Sequence, residues 1–133
     1  MAHCKSFQLS TGEHSFHDIT SQVREYIRET GVRDGIAVVF TPHTTAAITI
    51  NENADPDVLR DLSTGLDKTF PPLREYRHFE GNSDAHMKSS LMAPSLSLII
   101  SEGRPILGTW QDIYFCEFDG PRRRTFYVKV IEG

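Results

Sequence analysis

Hydrophobic residues recur along the chain at two spacings, and each switch between them marks a new element. Ala2 to Leu9 alternates loosely before Ser10-Thr11-Gly12, which predicts a strand followed by a turn. Ile19, Val23 and Ile27 recur every four residues, so this stretch predicts an amphipathic helix, with Asp18 or Thr20 as N-cap and Gly31 as its stop. Ile36 to Phe40 is a β-branched and aromatic run suited to a strand buried on both faces. From His43 to Ile50, extended backbone puts His43, Thr45, Ala47 and Thr49 on one face and Ala46, Ile48 and Ile50 on the other. The second face is core. The first is small and polar, as the wall of a wet pocket would be.

Asp55-Pro56 opens a second helix with an acidic N-cap and proline at the first helical position. Val58, Leu59, Leu62, Leu66 and Phe70 form its apolar stripe, and Pro71-Pro72 ends it. Leu73 to Asp84 lacks periodicity and reads as a loop, running into a short helix from Ser83 to Met92. The last third predicts strands at Leu96–Ser101, Pro105–Gly108, Ile113–Phe118 and Thr125–Ile131, with a turn at Glu102-Gly103. No internal repeat or linker-like tract divides the chain, so residues 1–133 form one expected domain. Its expected class is α+β: mostly antiparallel sheets in a sandwich-like arrangement with two to three helices.

Composition narrows the function classes. A chain of 133 residues leaves no room for a separate cofactor domain. With 14 basic and 18 acidic residues, the net charge of −4 argues against a nucleic-acid partner, whose binding surface is normally basic. No apolar stretch approaches the roughly 20 residues of a membrane-spanning helix, and Met-Ala-His-Cys-Lys-Ser does not resemble a signal peptide. The expected protein is cytoplasmic, without a membrane partner. Cys4 and Cys116 sit at opposite ends without metal-binding spacing, and read as ordinary strand residues.

Several residues carry potential chemistry. His43, His78 and His86 lie on separate segments and, if they converge, supply three protein ligands with a position left open for water or substrate. Asp84 and Glu80 then stand near enough in sequence to orient the rings. The alternative is that these are scattered surface or capping histidines, as His3, His14 and His17 are taken to be. In Asn51-Glu52-Asn53-Ala54-Asp55-Pro56-Asp57, Asp55 and Asp57 suit a helix start, whereas Glu52 and Asn53 follow a strand with a polar face and suit a pocket. Glu117 falls in an apolar strand, where an unpaired carboxylate is costly: it lies at the exposed end or pairs with Arg, Lys or metal-bound water. Trp110, in Gly108-Thr109-Trp110-Gln111-Asp112, is either core or a pocket floor. Arg122-Arg123-Arg124 is either a solvated hairpin loop or a phosphate anchor.

Taken in order, Thr41-Pro42-His43-Thr44-Thr45, Asn51 to Pro56, Tyr76-Arg77-His78, Glu80-Gly81-Asn82-Ser83-Asp84-Ala85-His86-Met87-Lys88-Ser89-Ser90 and Gly108 to Ile113 resemble the YjbQ-like family over nearly the whole chain. That family is often catalogued as "secondary thiamine-phosphate synthase". The resemblance implies a small α+β homotrimer in which His43, His78 and His86 hold a divalent metal. Zinc is the expected ion from its imidazole ligands, with Mg2+ the alternative for a diphosphate substrate. It further implies that Glu52, Asn53, Asp55, Asn82 and Asp84 line the same neighbourhood, and that Lys88, Trp110, Gln111 and Glu117 occupy matching positions. Asp112 departs from a pattern that often has glycine there.

The expected activity is therefore metal-dependent chemistry on a small phosphorylated or heterocyclic metabolite, nominally the joining of a pyrimidine diphosphate to a thiazole phosphate. Glu52, Asp84 and Glu117 are the expected proton-handling or orienting groups. Thr44, Thr45, Asn53, Asn82, Lys88, Trp110, Gln111 and Arg123 are the expected substrate contacts. A metal-assisted hydrolase or lyase, and a non-catalytic trimeric metal- or metabolite-binding protein, are the alternatives.

Overall fold

The stripe of Ile19, Val23 and Ile27 winds as expected into α1 (Thr20–Thr30) in a computed structural model that describes residues 3–133. Asp18 Oδ1 accepts the Thr20 N–H at 2.9 Å, and Gly31 ends the helix at a left-handed φ of 74°. Before it lie β1 (His3–Ser10) and β2 (Ser15–Asp18). The strand read from Ala2 thus begins at His3, Ala2 lying outside the described residues, and β2 is an element that the apolar pattern does not reveal. After α1 come β3 (Gly35–Phe40), β4 (Ala46–Glu52), α2 (Pro56–Thr69), α3 (Ser83–Met92), β5 (Ser95–Ser101), β6 (Arg104–Pro105), β7 (Gln111–Glu117) and β8 (Arg123–Glu132).

Alternation divides these strands between two antiparallel sheets. One has five strands in the order β1-β8-β3-β5-β6, the other three in the order β2-β7-β4. Ala37 and Val39 of β3, Leu98 and Ile100 of β5, and Phe126, Val128 and Val130 of β8 face Ala46, Ile48, Ile113 and Phe115 of the smaller sheet. Ile19, Val23 and Ile27 of α1 join this core. The other face of the smaller sheet, with Ala47, Tyr114, Cys116 and Phe118, builds a second core with Ala85 of α3, Leu59 and Leu66 of α2, and Met92. The molecule is an α+β sandwich with a helix layer on one side only.

Two expectations change. Residues 41–45 form a turn rather than a strand, and Ala47 is fully buried beneath the helices, so this face of β4 supports a core instead of walling a wet pocket. β3 is buried on one face alone. Ile36 and Phe40 lie outward with Ile99, Tyr127 and Ile131, leaving an exposed apolar surface on the larger sheet; Ile99 is 63% exposed. Among the described residues no helix is long and apolar enough to cross a membrane.

Two glycines respond oppositely to a methyl group. A Cβ on Gly35 would approach the Ile131 carbonyl oxygen to 2.1 Å, because β3 and β8 are paired there. Gly65, inside α2, has nothing within 4 Å of its Cβ position. Gly35→Ala is therefore expected to lower the urea unfolding midpoint, whereas Gly65→Ala raises stability by about 0.5–1 kcal/mol through restricted unfolded-chain entropy.

Candidate functional site

The turn after β3 is pinned from both sides. Thr41 N–H donates to Pro94 O at 2.9 Å, its hydroxyl donates to Thr125 O at 3.4 Å, and His43 N–H donates to Thr41 Oγ1 at 3.4 Å. The His43 ring is fixed in turn: its Nε2 accepts the Thr125 N–H at 2.9 Å. Opposite stands α3, tied to β4 by Ser89 Oγ donating to Ala46 O at 2.7 Å. Between them runs a groove of about 400 Å³, lined by Phe40, Thr41, Pro42, His43, Thr44, His86, Ser89, Ser90 and Pro94. His78, from the loop before α3, sets its ring edge-on to His86, with centroids 5.5 Å apart. Its Nε2 lies 3.6 Å from Glu80 Oε1.

Behind His43 lies a buried ion pair. Glu117, on the core-facing side of β7, is 0% exposed. Arg124 Nε donates to its Oε1 at 2.7 Å and Nη2 to its Oε2 at 2.5 Å. Thr11 Oγ1 at 2.5 Å and Asp119 N–H at 2.9 Å complete the shell. Arg124 Nη2 also donates to Thr45 Oγ1 at 2.8 Å, so the pair anchors the far end of the His43 turn. Burial pushes the Glu117 pKa up, but these hydrogen bonds and the guanidinium charge outweigh it and hold the carboxyl below its usual range. Burial, with Arg124 and Arg122 nearby, depresses the His43 pKa against the opposing pull of Glu117.

The expected site residues divide into two groups. His43, Thr44 and His86 border the groove, with His78 against His86. Asn82, the N-cap of α3, donates through Nδ2 to Asp119 Oδ2 at 2.7 Å while its buried Oδ1 has no partner among the described residues, and Asp84 occupies the first turn of that helix. Glu52, Asn53, Trp110 and Gln111 lie at the opposite end of β4, where Glu52 pairs with Gln111; this is six residues from Ala46, or about 20 Å of strand. There Glu52 Oε2 accepts the N–H groups of Ala54 and Asp55 at 3.2 and 3.3 Å. Asn53 Nδ2 donates to Thr109 O at 3.1 Å and to Asp112 Oδ1 at 3.3 Å. Asp112 also shares a hydrogen bond with Asp18, which raises its pKa. Trp110 is 62% exposed, and Gln111 Oε1 accepts the Gly108 N–H at 2.8 Å. Within one chain, then, the acid and amide motif before α2 stands apart from the histidines.

Two further residues have structural partners. Lys88 is buried on the side of α3 that faces α2, where its Nζ meets Asp67 Oδ1 at 2.5 Å. Arg123 is exposed and donates to Gln8 Oε1 from both Nε and Nη2, at 3.1 and 2.5 Å. Arg124 is the buried member of the arginine run, and strand parity identifies it: it shares a face with Phe126, Val128 and Val130, as Glu117 does with Ile113 and Phe115.

Metal-binding capacity follows from the donors. Zinc takes imidazole nitrogens at about 2.0–2.1 Å, and His78 and His86, with ring centres 5.5 Å apart, are the two imidazoles close enough to reach one ion. His43 is engaged elsewhere through Nε2. Among the described residues no three His, Cys, Asp or Glu side chains gather around one point.

A two-sheet sandwich with helices over one outer face, and a histidine-lined groove between α3 and the turn after β3, defines a small α+β protein. The chain belongs to the YjbQ-like UPF0047 family, whose profile, "UPF0047 protein YjbQ-like", it matches over residues 5–133. It is 54% identical over 126 residues to UPF0047 protein MJ1081 of Methanocaldococcus jannaschii, covering 94% of this chain and 91% of that one. To UPF0047 protein YugU of Bacillus subtilis it is 52% identical over 129 residues, covering 96% and 98%. The crystal structure of an uncharacterized conserved YjbQ/UPF0047 family protein from Clostridium acetobutylicum matches with a TM-score of 0.93 at 57% identity, covering 96% of this chain and 99% of that one. A YbjQ-like protein of unknown function from Sulfolobus solfataricus matches with a TM-score of 0.95 at 29% identity, covering 100% and 99%. The backbone frame thus persists while most side chains change.

Removing one member of a buried ion pair strands the other in a medium of low polarity. Arg124→Met is expected to cost about 3–5 kcal/mol, and Glu117→Leu combined with Arg124→Met to recover most of that loss. Urea unfolding of the single and double variants measures both values.

Proposed function

We propose that the protein is a metal-dependent enzyme acting in the His43–His86 groove on a small phosphorylated or heterocyclic metabolite, nominally of the thiamine-phosphate synthase kind. The observation that carries this reading is the placement of His43 and His86 on facing walls of one groove, with the His78 ring against His86. His78 and His86 would hold the divalent ion, zinc by donor type, or Mg2+ where a diphosphate is bound. When bound, the ion supplies Lewis acidity toward a phosphoryl oxygen or an activated water. Thr44 and Ser90 offer hydroxyl groups along the groove for orienting a polar ligand. Of the three carboxylates expected to handle a proton, Asp84, on the same helix as His86, is the one left to the role, since Glu117 is saturated by Arg124, Thr11 and Asp119 and Glu52 lies at the far end of β4.

That saturation of Glu117, with the distance of Glu52 from the histidines, favours a second reading: a metabolite- or metal-binding protein without turnover. Metal analysis and turnover together separate the two. Zinc is expected at about one ion per chain in the unaltered protein and to fall in His86→Ala and His78→Ala. Pyrimidine diphosphate with thiazole phosphate, and a panel of phosphoesters, are then assayed with the metal-loaded protein. Full zinc stoichiometry in His86→Ala removes the ion from this groove. Binding without conversion of any substrate selects the binding-protein reading.

The proposal includes a homotrimer with its grooves at subunit boundaries, in the cytoplasm. Ile36, Phe40, Ile99, Tyr127 and Ile131 form the kind of apolar surface that soluble proteins cover by association. Phe40 belongs to both this surface and the groove wall, so a copy seated there would border the site. Both cysteines are free thiols, in keeping with a reducing compartment. Light scattering is expected to report a trimer that Ile99→Lys dissociates; a monomer at all concentrations of the unaltered protein rejects the assembly.

A further inference from the structure

We propose that His43 ligates no metal and is instead the groove's fixed hydrogen-bond donor, offering Nδ1–H from a neutral ring to a phosphoryl oxygen of the ligand. The inference deepens the reading above and rests on the groove being the ligand site. Its starting point is the contact between Thr125 N–H and His43 Nε2 at 2.9 Å. A backbone amide can only donate, so Nε2 presents its lone pair, and a neutral imidazole that accepts at Nε2 carries its proton at Nδ1. Both nitrogens are then committed. A metal at Nε2 would have to displace the amide, and one at Nδ1 would have to displace the proton.

The fold holds that tautomer rigidly. Thr125 follows Arg124, whose guanidinium is fixed by Glu117 and Thr45 at the two ends of the same small region. Thr41 supports the turn from the other side, through Pro94 O, Thr125 O and the His43 N–H. The ring cannot turn over without leaving the Thr125 amide unpaired, which is costly for a backbone group at a partly buried position. A donor held in place before its ligand arrives loses little freedom on binding, which is how a preorganised site gains affinity. Among the described residues Nδ1 has no hydrogen-bond partner and is not an enclosed atom, and the ring lines the groove, which leaves Nδ1–H free for a ligand oxygen there. The phosphorylated class proposed above supplies a charged one, which strengthens the hydrogen bond.

Division of labour follows: His78 and His86 face the ion, and His43 faces the phosphoryl group. The test uses the full chain, labelled with nitrogen-15, with inorganic phosphate and zinc as separate probes. Long-range proton–nitrogen spectra are expected to show His43 as the Nδ1–H tautomer, with phosphate shifting His43 Nδ1 and zinc shifting His86 and His78. His43→Gln keeps an acceptor for Thr125 N–H and a donor for the groove, so phosphate affinity is expected to stay within about threefold; His43→Leu is expected to weaken it by about tenfold to a hundredfold. Zinc stoichiometry is expected to remain unchanged in both. Should His43→Leu fail to fold, the spectra and His43→Gln decide. An Nε2–H tautomer, zinc lost from His43→Gln, or no phosphate binding by the unaltered protein overturns the inference. The enzyme reading fails separately: phosphate binding that depends on His43, with no substrate turned over, leaves the donor in place and removes the catalysis.

Discussion

The contact between Glu117 and Arg124 joins the two sheets at the point from which the site is built. Glu117 belongs to the smaller sheet and Arg124 to the larger, so the pair spans the sandwich in the way a disulfide does in other two-sheet folds. Thr11, at the end of β1, and Thr45, at the threshold of β4, are drawn into the same network. Because Thr125 directly follows Arg124, the amide that fixes His43 inherits its position from the ion pair. Charge in this interior sets register: a slip by one residue in β8 would turn Arg124 outward and Arg123 inward, leaving Glu117 without its partner.

Most of the fold was legible because its elements obey simple periods. The boundaries of α3, the N-cap at Asp55 and the glycine stop of α1 follow from local rules that tertiary context leaves intact. What escaped was set by context. β2 is Ser-Phe-His-Asp, with one apolar residue in four, and it forms because β7 offers an unpaired edge. Ile36 and Phe40 read as core from their composition alone, since period-2 spacing cannot tell a covered face from a bare one. The site was legible in part for the same reason. Motif order brings His43, His78 and His86 to one region, but the division between them depends on which nitrogen a backbone amide from β8 reaches. The arginine run held a signal of its own: within β8, period-2 spacing puts Arg124, and not Arg123, in step with Phe126, Val128 and Val130.

The second core explains why motifs adjacent in sequence end so far apart. β4 runs beneath the helix layer from the histidine turn to Glu52, and its buried alanines at 46 and 47 let two layers approach it closely from opposite faces. Glu52 and Asn53 then complete the far corner, where their bonds to Ala54, Asp55, Thr109 and Asp112 join β4 to the start of α2, to β7 and to the loop before it. Side chains that look poised for chemistry in the sequence spend their polarity there on holding a corner.

The same helix layer sets an order of opening. None of the residues of α2 is fully buried, yet it covers Lys88, whose side chain is among the most enclosed of the described residues and is held by Asp67 of that helix. A fluctuation that lifts α2 withdraws only the half-buried Leu59 and Leu66 from the second core but admits water to a cation, and hydration of that charge lowers the free energy of the opened form. Amide hydrogens of α2 should therefore exchange with solvent well ahead of those in β3 and β8, making this helix the first cooperative unit of the fold to come away.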